Sequence, residues 1–514
     1  MSSTVAVLAV AFLFGVWFRS SAKYPLPPGA EGYPVIGSIR EIPRHFAWLT
    51  YTEWKGKYGD IFSFTVFGKT TIVLNSLKAA TELLDKRSSK FSGRPRMVMA
   101  DELLGWEWDL AHMPYTDRWR RHRRMFHQYF QPRNIASFYP FQKKASISLL
   151  DQLSQTPMEF IPHIRQYTGS VILRAVYGYE VKTENDFYIN LVQSAILPLL
   201  PVIHTTRSFL VEFLPALKHV PVWMPGAAFK RQALADARKS QELRDIPFNA
   251  VKELLANGLG QRCFVSENLE KIKSGSVSNP EEEEEVVKNC AGIVYLAGSD
   301  TTVALITAWV SAMAQYPDIQ KKAQAELENV IGKERLPEFT DMEFMPYLEA
   351  VILETQRWHT ITPLALPHKV IDDDIYEGYR MPAGSTITVN TWAILHDETV
   401  YPDPFRFDPE RFLRNGVINF DDQPDPTIAG AFGYGRRVCP GRYLAKNSSW
   451  MAVSSILAMY DITKAIDDKG VIIAATIRVT DGVISHPEPF KVNITPRSKE
   501  SIKLLEVAKM DLSM

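Results

Sequence analysis

The chain has 514 residues and equal numbers of basic and acidic side chains, 58 of each, so its formal net charge is zero. Hydrophobic residues make up 46% and charged residues 23%, which is ordinary for a globular enzyme. This balance gives no indication of nucleic-acid binding, which depends on clustered positive charge. The three cysteines, Cys263, Cys290 and Cys439, are too few for a disulfide framework and fit a reducing compartment.

The first 18 residues contain no charged side chain and are mostly apolar, a length at the short end for a membrane-spanning helix. Arg19 and Lys23 follow the apolar stretch, whereas a secretory signal has its basic residues first. Positive residues beside a membrane helix stay in the cytosol. We therefore predict a membrane anchor with its basic stop over residues 1–23 and a stiff proline-rich hinge over residues 24–35. A cleaved signal peptide and a buried helix are the alternatives.

Helical patterns dominate the chain after a short β-hairpin, which the sequence predicts over residues 60–75. Asn279 and Pro280 begin a long helix that we expect to run from about Glu281 to Tyr316 and to cross the core, because it is apolar on most sides. The pattern becomes strand-like from Pro363 to Thr388. We therefore predict a mainly α fold with smaller β-sheets, with a catalytic domain over residues 36–500 and a C-terminal tail over residues 501–514.

The centre of the long helix reads Ala297-Gly298-Ser299-Asp300-Thr301-Thr302. The hydroxyl of Thr301 can compete for the carbonyl of Ala297 and loosen the helix, which would open a groove for dioxygen and water. An acid at Asp300 beside that hydroxyl is suited to proton relay. The alternative is a core helix whose threonines are satisfied by backbone carbonyls.

One cysteine stands in an unusual loop, Phe432-Gly433-Tyr434-Gly435-Arg436-Arg437-Val438-Cys439-Pro440-Gly441. Gly435 permits a tight turn and a close approach to a flat ligand, and Arg437 can bind a carboxylate. Pro440 suits the first turn of a helix, where backbone N–H groups would favour a thiolate at Cys439. These features suit axial ligation of haem iron. The alternative is a buried cysteine in a glycine-rich turn.

The spacing Phe-x-x-Gly-x-Arg-x-Cys-x-Gly resembles the haem-binding loop of the cytochrome P450 family, and residues 297–302 resemble the oxygen-binding motif of that family. The resemblance implies the cytochrome P450 fold and a haem b cofactor whose iron is bound by Cys439. It implies that Thr301 and Asp300 are catalytic residues that support proton delivery to dioxygen. It also places four loop residues at the cofactor: Phe432, Gly435, Arg437 and Gly441.

Three further motifs resemble the same family, in the family's sequence order. Glu354 and Arg357, three residues apart on a helix, would form a buried structural network with Arg411. Trp119 and Arg123 share a helical face and would contact a haem propionate, and His368 stands where the family often has another propionate partner. The other arginines between residues 118 and 124 are placed to dock an acidic electron donor.

The resemblance is greatest to microsomal, fungal members that modify secondary metabolites. It implies a monooxygenase of the endoplasmic reticulum membrane, facing the cytosol, that inserts one oxygen atom into a lipophilic small molecule: a terpenoid, a polyketide or an aromatic compound. Electrons would come from an NADPH–cytochrome reductase. The alternatives are a haem-thiolate isomerase or dehydratase and a non-catalytic haem-binding protein. The resemblance places six residues in the substrate pocket: Trp106, Leu296, Ala297, Leu364, Val483 and Ile484.

Overall fold

The computed structural model describes residues 23–203, 209–475 and 478–513. The predicted membrane anchor, residues 1–23, therefore lies outside the described residues except for Lys23. Within the described ranges, one stretch, Pro280–Gln315, is long and apolar enough to cross a membrane, but 78% of its most apolar part is buried in the protein. That stretch is the core of the molecule rather than a membrane span.

Helices form most of the described chain, as the sequence predicts. In chain order they are α1 Ala47–Tyr58, α2 Leu77–Ala80, α3 Ser88–Phe91, α4 Asp117–Phe130, α5 Pro132–Ile135, α6 Tyr139–Gln155, α7 Phe160–Tyr177, α8 Phe187–Leu199, α9 Leu210–Phe213, α10 Ala228–Ala256, α11 Phe264–Lys273, α12 Pro280–Gly298, α13 Thr301–Gln315, α14 Pro317–Ile331, α15 Pro346–Trp358, α16 Thr391–Leu395, α17 Arg442–Met459 and α18 Lys499–Ser513. Single π-helical turns lie at Thr81–Lys86, Val98–Leu103 and Thr427–Ala431, and 3₁₀ turns at Ala136–Phe138, Pro157–Glu159, Pro215–His219, Phe339–Phe344, Pro409–Phe412 and Gly435–Arg437.

The strands of the described chain form one sheet of four strands and three pairs. They are β1 Ile61–Val66, β2 Lys69–Leu74, β3 His368–Lys369, β4 Asp374–Tyr376, β5 Tyr379–Met381, β6 Thr386–Val389, β7 Leu413–Arg414, β8 Val417–Ile418, β9 Tyr460–Lys464 and β10 Val492–Pro496. The larger sheet has the order β1-β2-β6-β3, with β2 and β6 parallel and the other neighbours antiparallel. The predicted hairpin is confirmed as β1 and β2, which pair from Ile61 with Leu74 to Val66 with Lys69.

The predicted long helix is confirmed in place but is interrupted once. Asn279 caps its start, where the side-chain oxygen accepts the amide of Glu282 at 3.3 Å. The helix then breaks at Ser299 and Asp300, so that α12 and α13 are separate. The hydroxyl of Thr301 donates to the carbonyl of Ala297 at 3.0 Å, as the sequence predicts. A hydroxyl that takes a helix carbonyl in this way loosens the backbone ladder, which explains the break.

The two ends of the described chain are packed against the body. The predicted hinge lies along β1, because the Ser63 hydroxyl donates to the Pro27 carbonyl and the Ser63 amide to that of Pro28, both at 2.7 Å. The segment treated as a C-terminal tail is helical as part of α18. Its Leu505 is buried, and Lys509 forms an ion pair of 2.8 Å with Asp151 on α6.

Candidate active site

A cavity of about 330 Å³ lies between the junction of α12 and α13 and the loop that precedes α17. Its wall brings together residues that are distant in sequence, from Arg94 to Ser448. Nine of the predicted site residues are in this wall: Trp119, Arg123, Ala297, Thr301, His368, Phe432, Arg437, Cys439 and Gly441. The cysteine loop and the interrupted helix therefore face one common space.

The cysteine loop is shaped by its backbone. The amide of Cys439 donates to the carbonyl of Phe432 at 2.8 Å, which closes the loop. A Cβ atom on Gly441 would lie 3.9 Å from the Cys439 sulfur, so the chain passes close to that sulfur. Gly435 lies outside the cavity wall. It has a φ of +54°, and a Cβ atom there would lie 2.0 Å from the Leu84 carbonyl oxygen. This glycine is therefore required by close contact with the π-helical turn at Thr81–Lys86.

Two opposing effects act on the Cys439 thiol. Burial is the larger effect and raises its pKa, while the Gly441 and Arg442 amides and the cationic Arg123 and Arg442 side chains favour the thiolate. The sulfur is therefore a thiol when nothing is bound to it. The amides and cations around it are nevertheless the arrangement that stabilises a thiolate, and a metal ion bound to sulfur replaces the proton.

Three arginine side chains converge on the cavity wall. The Arg437 guanidinium lies over the Trp119 ring, 4.4 Å from its centroid, and donates to the carbonyls of Ser92 at 2.9 Å and Met113 at 2.8 Å. Burial lowers the pKa of Arg437 to about 8, with the nearby charge of Arg94 as the next cause. Burial also lowers the pKa of Arg94, to about 10. These shifts mean that the positive charges stand in a poorly solvated space.

Arg123 is the least satisfied member of this set. Burial lowers its pKa, and in the described part of the chain its guanidinium forms neither a hydrogen bond nor an ion pair. Arg94, Arg123 and Arg437 likewise form no ion pair with any carboxylate of the described residues. A buried charge without a partner is costly, so the cluster fits a ligand that carries carboxylates.

His368 is in the wall with its Nδ1 2.8 Å from the carbonyl oxygen of Phe91. A carbonyl oxygen only accepts, so Nδ1 carries a proton and donates. Burial, and then Arg94, hold the pKa of His368 well below its usual range, so its ring is neutral and Nε2 is an acceptor. The neutral ring cannot donate to a carboxylate from Nε2. Its role as a propionate partner stays a prediction that requires a protonated ring.

The two catalytic residues predicted in the long helix, Asp300 and Thr301, do not both face the cavity. Thr301 is in the cavity wall, whereas Asp300 points away from it and pairs with His486, whose Nε2 lies 2.9 Å from Oδ2 of Asp300. Asp300 and Thr301 are therefore adjacent in sequence, but their side chains have different hydrogen-bond partners. His486 was not among the residues that the sequence singled out.

Glu354, Arg357 and Arg411 meet in the protein interior, as expected. Arg357 donates to both oxygens of Glu354, at 2.7 and 2.8 Å, and Arg411 donates to Oε1 at 3.1 Å. The Glu354 and Arg357 side chains are fully buried, and that of Arg411 is 5% exposed. The remaining donors of Arg357 meet carbonyl oxygens, including those of Leu395 and Pro404. This group holds α15 to the loop at Pro409–Phe412 and does not reach the cavity.

Most of the six residues predicted to line a substrate pocket lie outside the wall of this cavity. Of the six, Ala297 is in the cavity wall. Trp106 packs against Trp108, with ring centroids 5.2 Å apart and ring planes tilted by 31°, and Leu364 packs in a separate cluster with Trp48. Leu296 is buried in the main core. Val483 is outside the described wall, and Ile484 lines a second cavity.

Sequence reasoning missed Arg94 and the apolar part of the wall. Arg94 follows Ser92-Gly93, and its Nε and Nη1 donate to the carbonyls of Ala111 and Leu366, each at 2.8 Å. An isolated arginine in a loop carries no pattern that sets it apart from a surface residue. The apolar wall residues absent from the prediction include Leu110, Ile293, Val294, Ile361 and Leu366.

These observations fit the haem that the cysteine loop led us to expect. The sulfur of Cys439 faces the cavity, the chain leaves room beside it at Gly441, and one buried and two half-buried cations lack carboxylate partners at the wall. A flat ligand with a metal ion at its centre and carboxylates at its edge would bind the sulfur through the metal ion, fill the free space and pair with the cations. The described residues therefore contain a donor set and a space suited to haem.

Comparison with known proteins agrees with this geometry. A family model for cytochrome P450 matches residues 27–494. A cytochrome P450 monooxygenase of Armillaria gallica is 38% identical over 511 residues, which cover 98% of this chain and 99% of the relative. A cytochrome P450 monooxygenase of Coprinopsis cinerea is 39% identical over 93% of this chain and 90% of its own length. The tryptamine 4-monooxygenase of Psilocybe cyanescens is 38% identical over 94% and 96%. The chain therefore belongs to the cytochrome P450 family of haem-iron monooxygenases.

Proposed function

We propose that the protein is a haem b monooxygenase of the endoplasmic reticulum membrane that inserts one oxygen atom of dioxygen into an uncharged, lipophilic small molecule. The observation that carries the proposal is the common cavity, which holds the Cys439 sulfur and the Thr301 hydroxyl together with buried, unpaired cations. The cavity combines an apolar wall with a few polar groups, as small-molecule sites do.

Cys439 would be the axial ligand of the iron, and Arg94, Arg123 and Arg437 would bind the propionates. Haem, when bound, supplies the activation of dioxygen. The amides of Gly441 and Arg442 would stabilise negative charge on the sulfur once iron replaced its proton. The Trp119 ring and the carbonyls of Ser92 and Met113 hold the Arg437 guanidinium in place before the ligand arrives.

Thr301 and Asp300 would handle protons in this cavity. The Thr301 hydroxyl is held by the Ala297 carbonyl and so faces the cavity with its oxygen free to accept. Asp300 stands at the same break in the helix with a carboxylate that can exchange a proton. Thr301 would act from the cavity side of the break, and Asp300 from the side on which it pairs with His486.

The described wall favours an uncharged substrate. Its apolar members include Val294, Ala297, Ile361 and Leu366, and its hydroxyls include that of Thr362. It includes no acidic side chain among the described residues. A cationic amine would therefore lack a partner and would meet the positive charge of the arginine cluster. Among the terpenoids, polyketides and aromatic compounds that the sequence suggests, we favour neutral members, in secondary metabolism or in the oxidation of foreign compounds.

The exposed face of α4 is suited to an acidic electron donor, for which we propose an NADPH–cytochrome reductase. Arg120 pairs with Asp117 at 2.5 Å, and Arg121 pairs with Glu282. Arg118 and Arg124 are exposed and form no ion pair with the described residues. Cations without partners at a surface attract an acidic protein and speed its association.

The membrane location rests on residues 1–23, whose apolar run and following positive charges favour a single span with the body in the cytosol. A cytosolic body agrees with the three cysteines, none of which is paired in the structure. Replacement of residues 1–18 by a soluble tag should move the protein from the membrane fraction to the soluble fraction of a cell extract.

The proposal is tested by co-expression with a fungal reductase, followed by product profiling under isotopically labelled dioxygen. We expect a neutral, lipophilic product that carries one labelled oxygen atom and requires NADPH. Cys439→Ser, in which the sulfur alone is replaced, is the control and should give none. A product without labelled oxygen, or one formed without NADPH, would contradict a monooxygenase and favour an isomerase or dehydratase.

A further inference from the structure

A second cavity, of about 440 Å³, lies on the far side of α13 from the cysteine loop. Its wall comes from the start of α7, the chain after α8, one face of α13 and the segment 480–489. Its members include Arg165, Leu200, Val303, Thr307, Thr480 and His486. It shares none of its lining residues with the cavity of Cys439.

One deeply buried polar side chain in this wall has no partner among the described residues. Thr307 is 2% exposed, and its hydroxyl forms no hydrogen bond with the described residues. A buried hydroxyl without a protein partner is normally satisfied by water. The cavity is large enough for several water molecules, and Arg165 and His486 supply further polar groups. The second cavity is therefore suited to hold water.

His486 connects this cavity with the break in the helix. Its ring lines the cavity, and its Nε2 lies 2.9 Å from Oδ2 of Asp300. The backbone at this position is fixed, because the His486 amide donates to the hydroxyl of Thr480 at 2.9 Å. The preceding residue, Ser485, donates its amide to the carbonyl of Ile361, which is in the wall of the first cavity. The segment is thus tied to both cavities.

We propose that His486 is a positioning residue that connects Asp300 to water in the second cavity and supplies the protons that Asp300 and Thr301 deliver. This proposal rests on the proposed function. Nε2 releases its proton to Oδ2 of Asp300 while Nδ1 takes one from a cavity water, which regains a proton from solvent. The ring returns to its first tautomer when the hydrogen bond to Asp300 opens, Nδ1 gives its proton back to water and Nε2 takes a proton from water. One proton leaves solvent for each proton delivered, and no group is oxidised or reduced.

Other charged groups stand around His486 and would influence it. Arg165 faces the same cavity from α7. His359 lies on the neighbouring turn with its Nε2 2.9 Å from the Ser485 carbonyl, and burial lowers its pKa to about 4, so it is neutral. Asp481 is paired with the exposed His45 at 3.1 Å. Of these groups, Asp300 is the one in direct hydrogen-bond contact with the His486 ring.

The test compares His486→Gln with the intact enzyme and with His45→Gln. Glutamine can still donate to Asp300 but cannot pass on a proton, whereas His45→Gln removes a histidine of another His–Asp pair. Each protein is combined with a fungal reductase, and the hydrogen peroxide released per NADPH consumed is measured in water and in deuterium oxide. We expect a roughly threefold to tenfold larger peroxide fraction and a larger solvent isotope effect for His486→Gln. We expect no change for His45→Gln.

A structural role would be rescued by glutamine, so an unchanged peroxide fraction and isotope effect would overturn the proposal. Thr307→Val removes only the hydroxyl at the second cavity, and it should shift both quantities in the same direction by a smaller amount. If Thr307→Val changed neither the peroxide fraction nor the isotope effect, the proposal would be overturned even if His486→Gln did not fold.

A crystal structure gives a readout that does not depend on turnover. Ordered water should connect the hydroxyl of Thr307 with the His486 ring, and a dry cavity would contradict the relay. Failure of the relay is distinguishable from failure of the proposed function. An intact enzyme without a thiolate-type carbon monoxide spectrum would overturn both, whereas a normal spectrum with unchanged peroxide would overturn the relay alone.

Discussion

Two groups of buried arginines in this protein differ in one respect. Arg357 and Arg411 both donate to Glu354, and their remaining donors meet backbone carbonyls. Arg123 and Arg437, at the cavity, form no ion pair with a described carboxylate, and burial lowers the pKa of both. The first group is complete within the described residues, whereas the second lacks an anion among them and fits a ligand that brings one.

The paired arginines serve the stability of the fold, whereas the unpaired arginines serve the binding of a ligand. A buried charge pair with full hydrogen bonding maintains the fold and is damaged by loss of either partner. Buried cations without partners cost stability in the free protein, and that cost is recovered when a ligand with carboxylates binds. Substitutions in the two groups should therefore have opposite effects on the protein without haem.

The largest effect should follow from Glu354→Gln. This substitution leaves Arg357 and Arg411 buried without a negative partner, so the free energy of unfolding should fall by about 3–5 kcal/mol. Urea denaturation followed by circular dichroism measures it. Glu349→Gln on the same helix removes the ion pair with Lys446, at 2.5 Å and partly exposed, and should cost no more than about 1 kcal/mol. Equal losses in the two variants would contradict the structural role.

Arg123→Met should weaken haem binding without harming the free protein. Loss of a charge-assisted hydrogen bond costs roughly 1.5–3 kcal/mol, which corresponds to a haem dissociation constant about tenfold to hundredfold larger. Because burial disfavours the protonated guanidinium, the free protein should be at least as stable as before. Haemin titration and urea denaturation measure the two quantities.

Arg121→Met is the matched control on α4, because Arg121 is exposed and pairs with Glu282 at the surface. Haem affinity should not change in this variant. If Arg123→Met made the protein without haem less stable, or left the haem affinity unchanged, Arg123 would not differ in role from the paired arginines Arg357 and Arg411.

Per pH unit, the smallest effect should be a pH dependence next to the complete group. His396 stacks on Trp392, and burial, then the charge of Arg357, lowers its pKa to about 3. The unfolded chain binds a proton near the ordinary histidine pKa while the folded chain does not. Stability is therefore lost as the pH falls from about 6.5 towards 3, by up to about 1.4 kcal/mol per pH unit.

Urea denaturation at several pH values measures that slope. It should be shallower in His396→Gln and unchanged in His127→Gln, which alters an exposed histidine on α4. A slope that His396→Gln leaves as steep as before would assign the acid sensitivity to other groups.

The parts of the molecule with a local pattern could be predicted from the sequence. The β1–β2 hairpin, the capped start of α12 and the hydrogen bond from Thr301 to Ala297 all depend on neighbouring residues, and the structure confirms them. The convergence of Trp119, Thr301 and Cys439 followed from their resemblance to a known family and not from local chemistry.

The parts that depend on side-chain direction could not be predicted. Leu296 and Ala297 are neighbours on α12, yet only Ala297 is in the cavity wall, because a helix turns by about 100° per residue. Asp300 pairs with His486, 186 positions later, and nothing in either segment indicates the other. Because the helix is interrupted at Ser299 and Asp300, the side chains of α13 point in directions that an unbroken helix would not give.

The central claim is that Cys439 binds haem iron as a thiolate in the cavity of unpaired arginines. The reduced, carbon monoxide-treated protein tests it most directly, through the position of the Soret band. We expect a band at the position of haem with a thiolate ligand, and its loss in Cys439→Ser. A band at the position of haem without a thiolate ligand in the intact protein, or an unchanged band in Cys439→Ser, would contradict the claim.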